Sequence, residues 1–437
     1  MTELRIRVVP EIAGVAGSAW DACANPHPGN LAAFESGVVP PQSEPIENDA
    51  AQRKPEPLCQ ERCYNPFISH AFLNALEVSG SATARAGWQP QHLLLESAEG
   101  GLVGALPCYL KSHSRGEYVF DHGWADAYER AGGRYYPKLQ TSVPFTPVPG
   151  RRLLVVPGRG AEERERALAA GLVELCRLHA ASSAHVTFAT RAEWQLLGAQ
   201  GFLQRTDQQF HWRNAGYGSF DDFLSVLAAR KRKAIRRERR DAVAAGIEVH
   251  WLTGSDLTEA VWDVFFGFYM ETGSRKWGQP YLTRKFYSLI GQTMADRIIL
   301  VMAKRNGRFI AGAINFIGSD ALYGRHWGAI EHHPFLHFEL CYYQAIEYAI
   351  VHRLARVEAG AQGEHKLARG YLPVTTYSAH HVADQGLRRA IADYLVRERA
   401  YVEAAGRELA EAAPFRKDMR MPDLELDAPA SCLREDR

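Results

Sequence analysis

Two spacings of apolar residues recur along this chain, one typical of strands and one typical of helices. Residues 4–9 alternate like a strand, and residues 298–303, 309–317 and 321–327 predict three further strands in succession. Residues 338–354 instead place apolar side chains at steps of three and four, which predicts a helix with one apolar face. The mixture of both spacings predicts an α/β (α+β) protein.

A short internal repeat accompanies this pattern. Around residues 93–105 and again around 299–313, an apolar strand is followed by a glycine turn and a second strand carrying Gly-Ala. In both places helices precede the hairpin, and a later helix leads into a further strand. The repeat indicates two similar β/α halves with a cleft in or between them. We therefore predict domains at residues 1–215 and 216–413.

Three segments depart from the regular pattern. Residues 25–61 are rich in Pro, Gly, Ser and charge, which predicts a flexible insertion, and residues 414–437 are expected to form a loose tail. Residues 117–150 mix aromatic and charged side chains densely, and we predict a long, partly ordered loop. This loop either covers a sheet edge or forms a wall of the substrate pocket, with Asp121 and Tyr135 as contacts.

Length and composition narrow the class of protein. The 437 residues suffice for two or three domains, and a hydrophobic content of 46% supports sizeable cores. A formal net charge of +1 argues against overall attraction to nucleic acid or membranes, so such binding requires a local patch. The seven cysteines are odd in number and widely spread, which favours free thiols. With neither a signal peptide nor a run of roughly 18 apolar residues, we expect a soluble, cytoplasmic protein without membrane insertion.

The stretch from residue 325 to residue 371 combines more reactive side-chain types than any other part of the chain. A predicted helix leads into a short strand near residue 357, and Gly360 and Gly363 bracket a tight turn. A glycine turn that carries polar groups after a strand is a common way to place chemistry at a sheet edge. We interpret this stretch as an acyl-transfer site, whose candidate residues are Arg325, His326, Trp327, Glu339, Glu358, Gln362, Glu364, His365, Lys366 and Arg369.

Acylation of an amine requires a base, a polarised carbonyl and close placement of the two reactants. We predict Glu364 as the base, with His365 as the alternative, because adjacent residues do not face one point. Glu358 orients the amine, and Lys366 or a backbone N–H stabilises the oxyanion. The predicted substrate contacts are Arg325, His326, Trp327, Glu339, Gln362 and Arg369.

Several of these residues have simpler explanations. Glu339 stands early in its helix, where the dipole favours a negative charge, and His326 and Trp327 suit an ordinary sheet. Cys341 lies on the apolar helix face, where cysteine usually serves packing. A histidine metal site lacks the spacing of known zinc motifs, so no metal is expected; its members would be His332, His333, His337 and His365.

Two segments are candidates for binding a phosphate of the donor. The turn Gly158-Arg159-Gly160 opens a predicted helix, although such a turn is more often only a turn. Residues 230–240 hold eight bases and one acid. On a helix, Arg230, Lys233 and Arg237 share one side with Arg240, and this side either binds phosphate or is solvated.

Six segments of the chain resemble the FemAB-like group, and within it the bacterial proteins grouped under peptidoglycan biosynthesis. They are residues 65–69, 116–121, 127–139, 143–148, 336–344 and 358–371. The resemblance implies two tandem GNAT-like (acyl-CoA N-acyltransferase) domains, with mixed, mostly antiparallel sheets flanked by helices. It also implies transfer from acyl-CoA or aminoacyl-tRNA onto a small-molecule or peptidic amine.

Three functions follow from this resemblance and the residues. The first is N-acylation of an amine, with an undecided donor. The second is aminoacyl-tRNA-dependent transfer, although residues 219–246 offer one basic helix in place of the long helical hairpin of peptidoglycan-directed relatives. The third is ligand recognition without catalysis, because a fold does not fix a function. The half that carries the cleft and the oligomeric state stay open at this stage.

Overall fold

A computed structural model provides the fold and describes residues 3–26, 64–277, 280–360 and 364–416. For residues 274–277 and for Glu364 it describes the backbone but not the side chains. Nearly all of the predicted insertion at 25–61 and of the predicted tail therefore lies outside the described residues, as does Gln362.

The described residues form two sheets. Their strands are β1 (Leu4–Val9), β2 (Trp88–Pro90), β3 (His92–Ser97), β4 (Leu102–Leu106), β5 (Tyr109–Lys111), β6 (Lys138–Thr141), β7 (Leu154–Val155), β8 (Ser183–Ala189), β9 (Leu203–Arg213), β10 (Ile247–Thr253), β11 (Ile298–Arg305), β12 (Arg308–Ile317), β13 (Ala321–Ala329), β14 (Arg356–Glu358) and β15 (Leu372–Val382).

Helices cover both sheets. They are α1 (Gly17–Ala24), α2 (His70–Val78), α3 (His122–Arg130), α4 (Ala161–Leu178), α5 (Arg191–Ala199), α6 (Phe220–Ser225), α7 (Ala229–Val243), α8 (Glu259–Trp277), α9 (Arg284–Thr293), α10 (Leu336–Phe338), α11 (Gln344–Val351) and α12 (Gln385–Glu411). A π-helical turn, Glu339–Tyr343, joins α10 to α11.

The strand order confirms the predicted fold class of mixed, mostly antiparallel sheets flanked by helices. The smaller sheet has the order β1-β3-β4-β7, and the larger has β10-β11-β12-β13-β14-β9-β15-β8-β6-β5-β2. Among the described pairs, only β13–β14 and β6–β8 are parallel. The others are antiparallel, as expected where short turns connect neighbouring strands.

Capping residues fix where several helices begin. Ser219 accepts a hydrogen bond from the backbone N–H of Asp222 at the start of α6. Thr190 and Glu193 form a reciprocal capping box at α5. Asp384 accepts from the N–H of Leu387 at the start of α12. These side chains satisfy N–H groups that the first helical turn leaves unpaired.

The same order of elements occurs twice. β1 is followed by α1 and α2 and heads the row β1-β3-β4-β7, while β10 is followed by α8 and α9 and heads the row β10-β11-β12-β13. The two hairpins noticed in the sequence, β3–β4 and β11–β12, hold the same place in the two rows. In each half a helical segment then leads to one further strand, β8 or β14.

The two halves share strands and core. β15 belongs to the second half in sequence, yet it lies between β9 and β8 of the first half. Phe67 and Phe72 from the first half contact Phe316 of β12, with ring centroids 5.0 and 5.5 Å apart. Aromatic packing of this kind buries large apolar areas, so each half covers core surface of the other.

The prediction of a long, partly ordered loop at residues 117–150 is wrong. This segment contains α3 and β6 and is largely buried. Lys138 is fully buried and donates to Glu117 over 2.7 Å and to Asp121. Because these opposite charges pair with each other, Glu117, Asp121 and Lys138 pack inside the protein, whereas the charged residues of α3 are exposed.

Candidate active site

A slot opens in the large sheet where β13 and β14 diverge. The two strands pair in parallel from Ala321↔Arg356 to Tyr323↔Glu358, after which β14 ends and β13 continues to Ala329. Gly324 and Trp327 pair with β12, and residues 324–327 have no strand partner on their other edge among the described strands. A cavity of about 90 Å³ lies here, lined by Ala313, Ile314, Asn315, Gly324, Arg325, His326, Trp327, His337, Cys341, Tyr342 and Ala359.

A β-bulge shapes the wall of this slot. Asn315 pairs with Gly324 and Ala313 with Trp327, so Ile314 of β12 stands opposite two residues of β13, Arg325 and His326. Arg325 and His326 also line a second, small apolar cavity, whose other lining residues include Phe67, Phe72 and Thr146 of the first half. Arg325 and His326 thus separate a slot inside the second half from a space shared by both halves.

The guanidinium of Arg325 is held firmly but is only partly hydrogen-bonded. It lies 4.6 Å from the ring centroid of Phe67 and 5.4 Å from that of Tyr323. Its Nη1 donates to the carbonyl of Gly324 over 2.8 Å. Nε and Nη2 are shielded from solvent and have no hydrogen-bond partner among the described residues. Burial lowers the pKa of Arg325 to about 10.

Glu358 is the buried carboxylate of the site. It is 1% exposed, and its Oε1 accepts a hydrogen bond of 3.0 Å from Arg356 Nε. Its Oε2 has no hydrogen-bond partner within the described part of the chain, and His211 Nε2 lies 4.0 Å away. Burial raises the pKa of Glu358, while Arg356 and Arg325 oppose that shift. A raised pKa improves a carboxylate as a proton acceptor.

The glycine turn after β14 brings Lys366 to the site. Gly360 has a φ of +79°, and its carbonyl accepts a hydrogen bond of 2.9 Å from Lys366 Nζ. Burial and, to a smaller extent, the charge of Arg325 together lower the pKa of Lys366 to about 8. His365 is exposed, and its Nε2 shares a hydrogen bond of 2.9 Å with the Tyr342 hydroxyl. Glu364 begins this 3-10 helix, and its side chain lies outside the described part.

The π-helical turn forms the opposite wall. An extra residue per turn is rare in helices and is frequent at functional sites, and here Cys341 and Tyr342 line the cavity. Glu339 does not line it. Its buried carboxylate accepts hydrogen bonds from Arg239 and from Gln344. We therefore correct the expectation that Glu339 binds substrate, because its oxygens are occupied by neighbouring side chains.

The basic helix α7 packs beside this wall and presents two different faces. Inward, Glu238 accepts a hydrogen bond of 2.7 Å from Arg369 Nη2, and Arg239 pairs with Glu339. Outward, Arg230, Lys233 and Arg237 are exposed, as the helical spacing predicts. Arg369 thus links α7 to the 3-10 helix of Lys366, and its guanidinium lies 3.5 Å from the ring centroid of Phe338.

The corresponding opening in the first half is filled. β7 and β8 belong to different sheets and do not pair. Arg152 is fully buried between them and donates to the carbonyls of Thr187, Val148 and Gly150. A guanidinium with these partners leaves no slot for a donor. Of the two equivalent positions in the fold, the one in the second half is therefore open.

The predicted phosphate turn opens α4 but has an unfavourable charge. Gly158 and Gly160 both have positive φ, and α4 begins at Ala161. The first turn of α4 carries Glu162 and Glu163, which oppose an anion at this helix end. Arg159 contributes its backbone carbonyl to a hydrogen bond with Arg164. This turn is therefore better explained as a connection than as a binding site.

Asp121 and Tyr135, predicted as pocket contacts, lie in a closed buried network instead. The Tyr135 hydroxyl donates to Asp121 over 2.8 Å, and Lys138 and Ser114 also donate to Asp121. Burial favours the neutral acid, but Lys138 and His185 outweigh it and keep the pKa of Asp121 below its usual value. Neither Asp121 nor Tyr135 lines the described cavity, because their polar atoms are used within the network.

Sequence reasoning missed Asn315 and His211 at this site. Both are 1% exposed, and the amide of Asn315 has no hydrogen-bond partner among the described residues. A single polar residue inside an apolar strand was the available signal for Asn315.

Among the described residues, no three His, Cys, Asp or Glu side chains gather as metal ligands. No helix in the described ranges is long and apolar enough to cross a membrane.

Comparisons with known proteins complete the description. The model of the FemAB-like family, described as peptidoglycan biosynthesis/recognition, matches residues 49–417. The crystal structure of FemX is 12% identical, with 71% of this chain and 92% of that one covered and a TM-score of 0.46.

Two further solved structures are similar at this level. The C-terminal domain of a putative lysylphosphatidylglycerol synthetase from Agrobacterium fabrum is 8% identical, with 77% and 92% coverage and a TM-score of 0.49. A tandem GNAT protein from the clavulanic acid pathway is 15% identical, with 87% and 99% coverage and a TM-score of 0.41. No curated protein matches the sequence significantly.

Proposed function

The chain belongs to the FemAB-like family, as its sequence resemblance predicts, and from this premise we propose that it transfers an acyl or aminoacyl group onto an amine. The observation that carries the proposal is the slot between β13 and β14, beside which the buried Glu358 ends β14. An open strand edge beside a buried carboxylate offers both functions that acyl transfer needs, carbonyl polarisation and proton removal.

The donor carbonyl enters the slot along residues 324–327, whose free backbone edge offers hydrogen bonds to its oxygen. The amine nitrogen attacks the carbonyl carbon, and an amide bond forms as the C–S bond of a thioester or the C–O bond of an ester breaks. Glu358, which the sequence predicts to orient the amine, here accepts the proton lost by the amine, and the leaving sulfur or oxygen takes up a proton. The role of Glu364 as base stays a prediction, because its side chain lies outside the described part. The charge of Arg325 acts on Lys366, and we propose that Lys366 stabilises the developing negative charge.

Substitution of Glu358 tests this mechanism. We expect Glu358→Gln to lower kcat by roughly tenfold or more, because a general base typically contributes at least that factor. The measurement is release of free thiol from a panel of acyl-CoA donors with a panel of amines. Glu331→Gln is the matched control, since Glu331 lies on the surface beyond the end of β13. Full activity of a folded Glu358→Gln protein would reject the role.

A second candidate donor is aminoacyl-tRNA, and the charge of α7 favours it. The helix carries eight basic and two acidic residues in a chain of formal charge +1, so the rest of the chain is net acidic. Arg230, Lys233 and Arg237 follow one exposed side, which rises about 10 Å over seven residues. Cations at this spacing suit consecutive phosphates of a nucleic acid strand.

The salt dependence of tRNA binding distinguishes aminoacyl-tRNA from acyl-CoA as the donor. We expect the protein to bind tRNA in a manner that weakens steeply with salt, and Lys233→Gln with Arg237→Gln to lower the slope by about two. Arg166→Gln with Arg177→Gln is the control pair, because both arginines are exposed on α4. Absence of binding at low salt would dismiss tRNA. If neither donor class gives turnover, the protein is a recognition module rather than an enzyme.

A further inference from the structure

Two buried cations beside the slot lack a carboxylate partner. Within the described ranges, Arg325 donates to the carbonyl of Gly324 alone, and Lys366 to the carbonyl of Gly360 alone. The nearby carboxylates of Glu358 and Asp320 both pair with Arg356 instead. Two positive charges therefore remain without an ion pair among the described residues. Buried charge in this state is costly unless a further group compensates it.

The unused edge of Arg325 has the geometry that recognises an acid group. Nε and Nη2 point the same way in the planar guanidinium and together match the two oxygens of a carboxylate. The remaining nitrogen, Nη1, is fixed by Gly324, and the rings of Phe67 and Tyr323 hold the plane. The edge is therefore preorganised, and a ligand loses little free energy in ordering it.

Other unpaired polar atoms, on the cavity or beside it, extend the match. The amide of Asn315 lines the cavity with its nitrogen and oxygen both unpartnered among the described residues. Glu358 Oε2, also unpartnered there, attracts a cation or an amine proton. Arg325 and Glu358 interact electrostatically without a hydrogen bond between them. A ligand with an acid and an amine close together satisfies both.

We propose that the acceptor carries a carboxylate that binds the Nε–Nη2 edge of Arg325 while its amine faces Glu358. The inference rests on the proposed function. It narrows the acceptor to amino acids and to the ends of peptide chains that carry an amine and an acid group close together. Lys366 adds a second positive charge on the same side. A phosphate offers similar chemistry, so the experiment contains an arm for each anion.

The test compares acceptors that differ only in their acid group. We expect glycine, β-alanine or γ-aminobutyrate to react with a kcat/KM at least tenfold above that of the corresponding amide. Arg325→Lys keeps the charge but loses the two parallel N–H donors of the guanidinium edge. We therefore expect the preference for the acid over the amide to fall roughly tenfold, mainly through KM. Arg305→Lys, at the partly exposed end of β11, is the matched control and retains the preference.

Each outcome separates this inference from the proposed function. Equal turnover of acids and amides overturns the inference and leaves the transfer function standing. Preference for phosphoethanolamine over β-alanine overturns the assignment of a carboxylate.

Binding to the unsubstituted protein gives a second readout, because acetate and acetamide differ in charge but not in shape. If nothing turns over, yet acetate and not acetamide shifts the Arg325 Nε–H resonance, the inference survives while the proposed function fails. If acetate does not shift this resonance, the inference is wrong. Because this readout uses the unsubstituted protein, it holds even where the Arg325→Lys variant is unstable.

Discussion

Burial moves the pKa values of Glu358 and Lys366 toward each other. Removing a group from water disfavours its charged form, so the pKa of the acid rises and that of the base falls, to about 8 for Lys366. Both groups then titrate nearer to neutral pH than on a protein surface. Such paired shifts are common where one group must accept a proton and another must stay charged.

The pH profile of the reaction tests this pairing. We expect kcat/KM to rise as Glu358 ionises above its usual range, and to fall near pH 8 as Lys366 loses its charge. Lys366→Arg stays charged in this range, so its profile lacks the falling limb for the same acceptor. Lys285→Arg, on the exposed side of α9, is the control. An unchanged falling limb in Lys366→Arg would exclude Lys366 as its origin.

The residues of the site were predictable where their chemistry is local in sequence. Arg325, Glu358 and Lys366 stand beside a strand or a glycine turn. Arg325 lines the slot, Glu358 ends the strand beside it, and the charge of Arg325 acts on Lys366. His211 comes 147 positions before Glu358 in the chain, and only the pairing of β9 with β14 brings them together. Spacing along the sequence carries no information about such a pairing, so His211 was not predictable.

At the scale of elements, β13 depends on a close approach by α8. A Cβ added at Gly328 would lie 2.0 Å from the backbone carbonyl oxygen of Phe268 in α8. Real atoms do not come so near, so α8 must move away from the strand. The slot is built on this same strand, and displacement of α8 therefore disturbs the bulge at Arg325 and His326 as well.

We expect Gly328→Ala to lower the free energy of unfolding by about 1–3 kcal/mol, as overpacking of a core typically does. The measurement is urea denaturation, together with KM for the acceptor, which should rise. Gly267→Ala is the control from the same contact region, because its Cβ meets nothing within 4 Å. An interior helical Gly→Ala change there should stabilise by up to about 1 kcal/mol. Equal stability of the two variants would show that α8 adjusts freely.

Elements with a long, regular pattern were predictable, and those defined by tertiary pairing were not. The spacing correctly placed β11, β12 and β13 to within a few residues, because each is long and apolar. β5 and β6 are short and carry Lys111 and Lys138, whose burial depends on Glu117 and Asp121. The π-helical turn likewise follows from packing, since the sequence only indicates a helix.

At the scale of the whole molecule, the repeat in the sequence does not show that the two halves exchange a strand. The sequence pattern predicts a boundary at residue 215, with each half complete on either side. In the structure, β15 pairs with β9 over nine residues and with β8 on its other edge. Within this exchange, Nδ1 of His380 lies 2.6 Å from Nδ1 of His185, and both rings are buried. No local pattern shows that a strand pairs with strands that are distant in the sequence.

This exchange predicts that the first half does not fold alone. Residues 1–215 expressed without the rest leave both neighbours of β15 with unpaired edges and expose Phe67 and Phe72 to water. We expect this fragment to lack a cooperative urea transition and to aggregate. Residues 1–416 keep every described contact and serve as the control, with an unfolding midpoint close to that of the full chain. Cooperative unfolding of residues 1–215 would show that the two halves fold independently and that the first half does not need β15 for its stability.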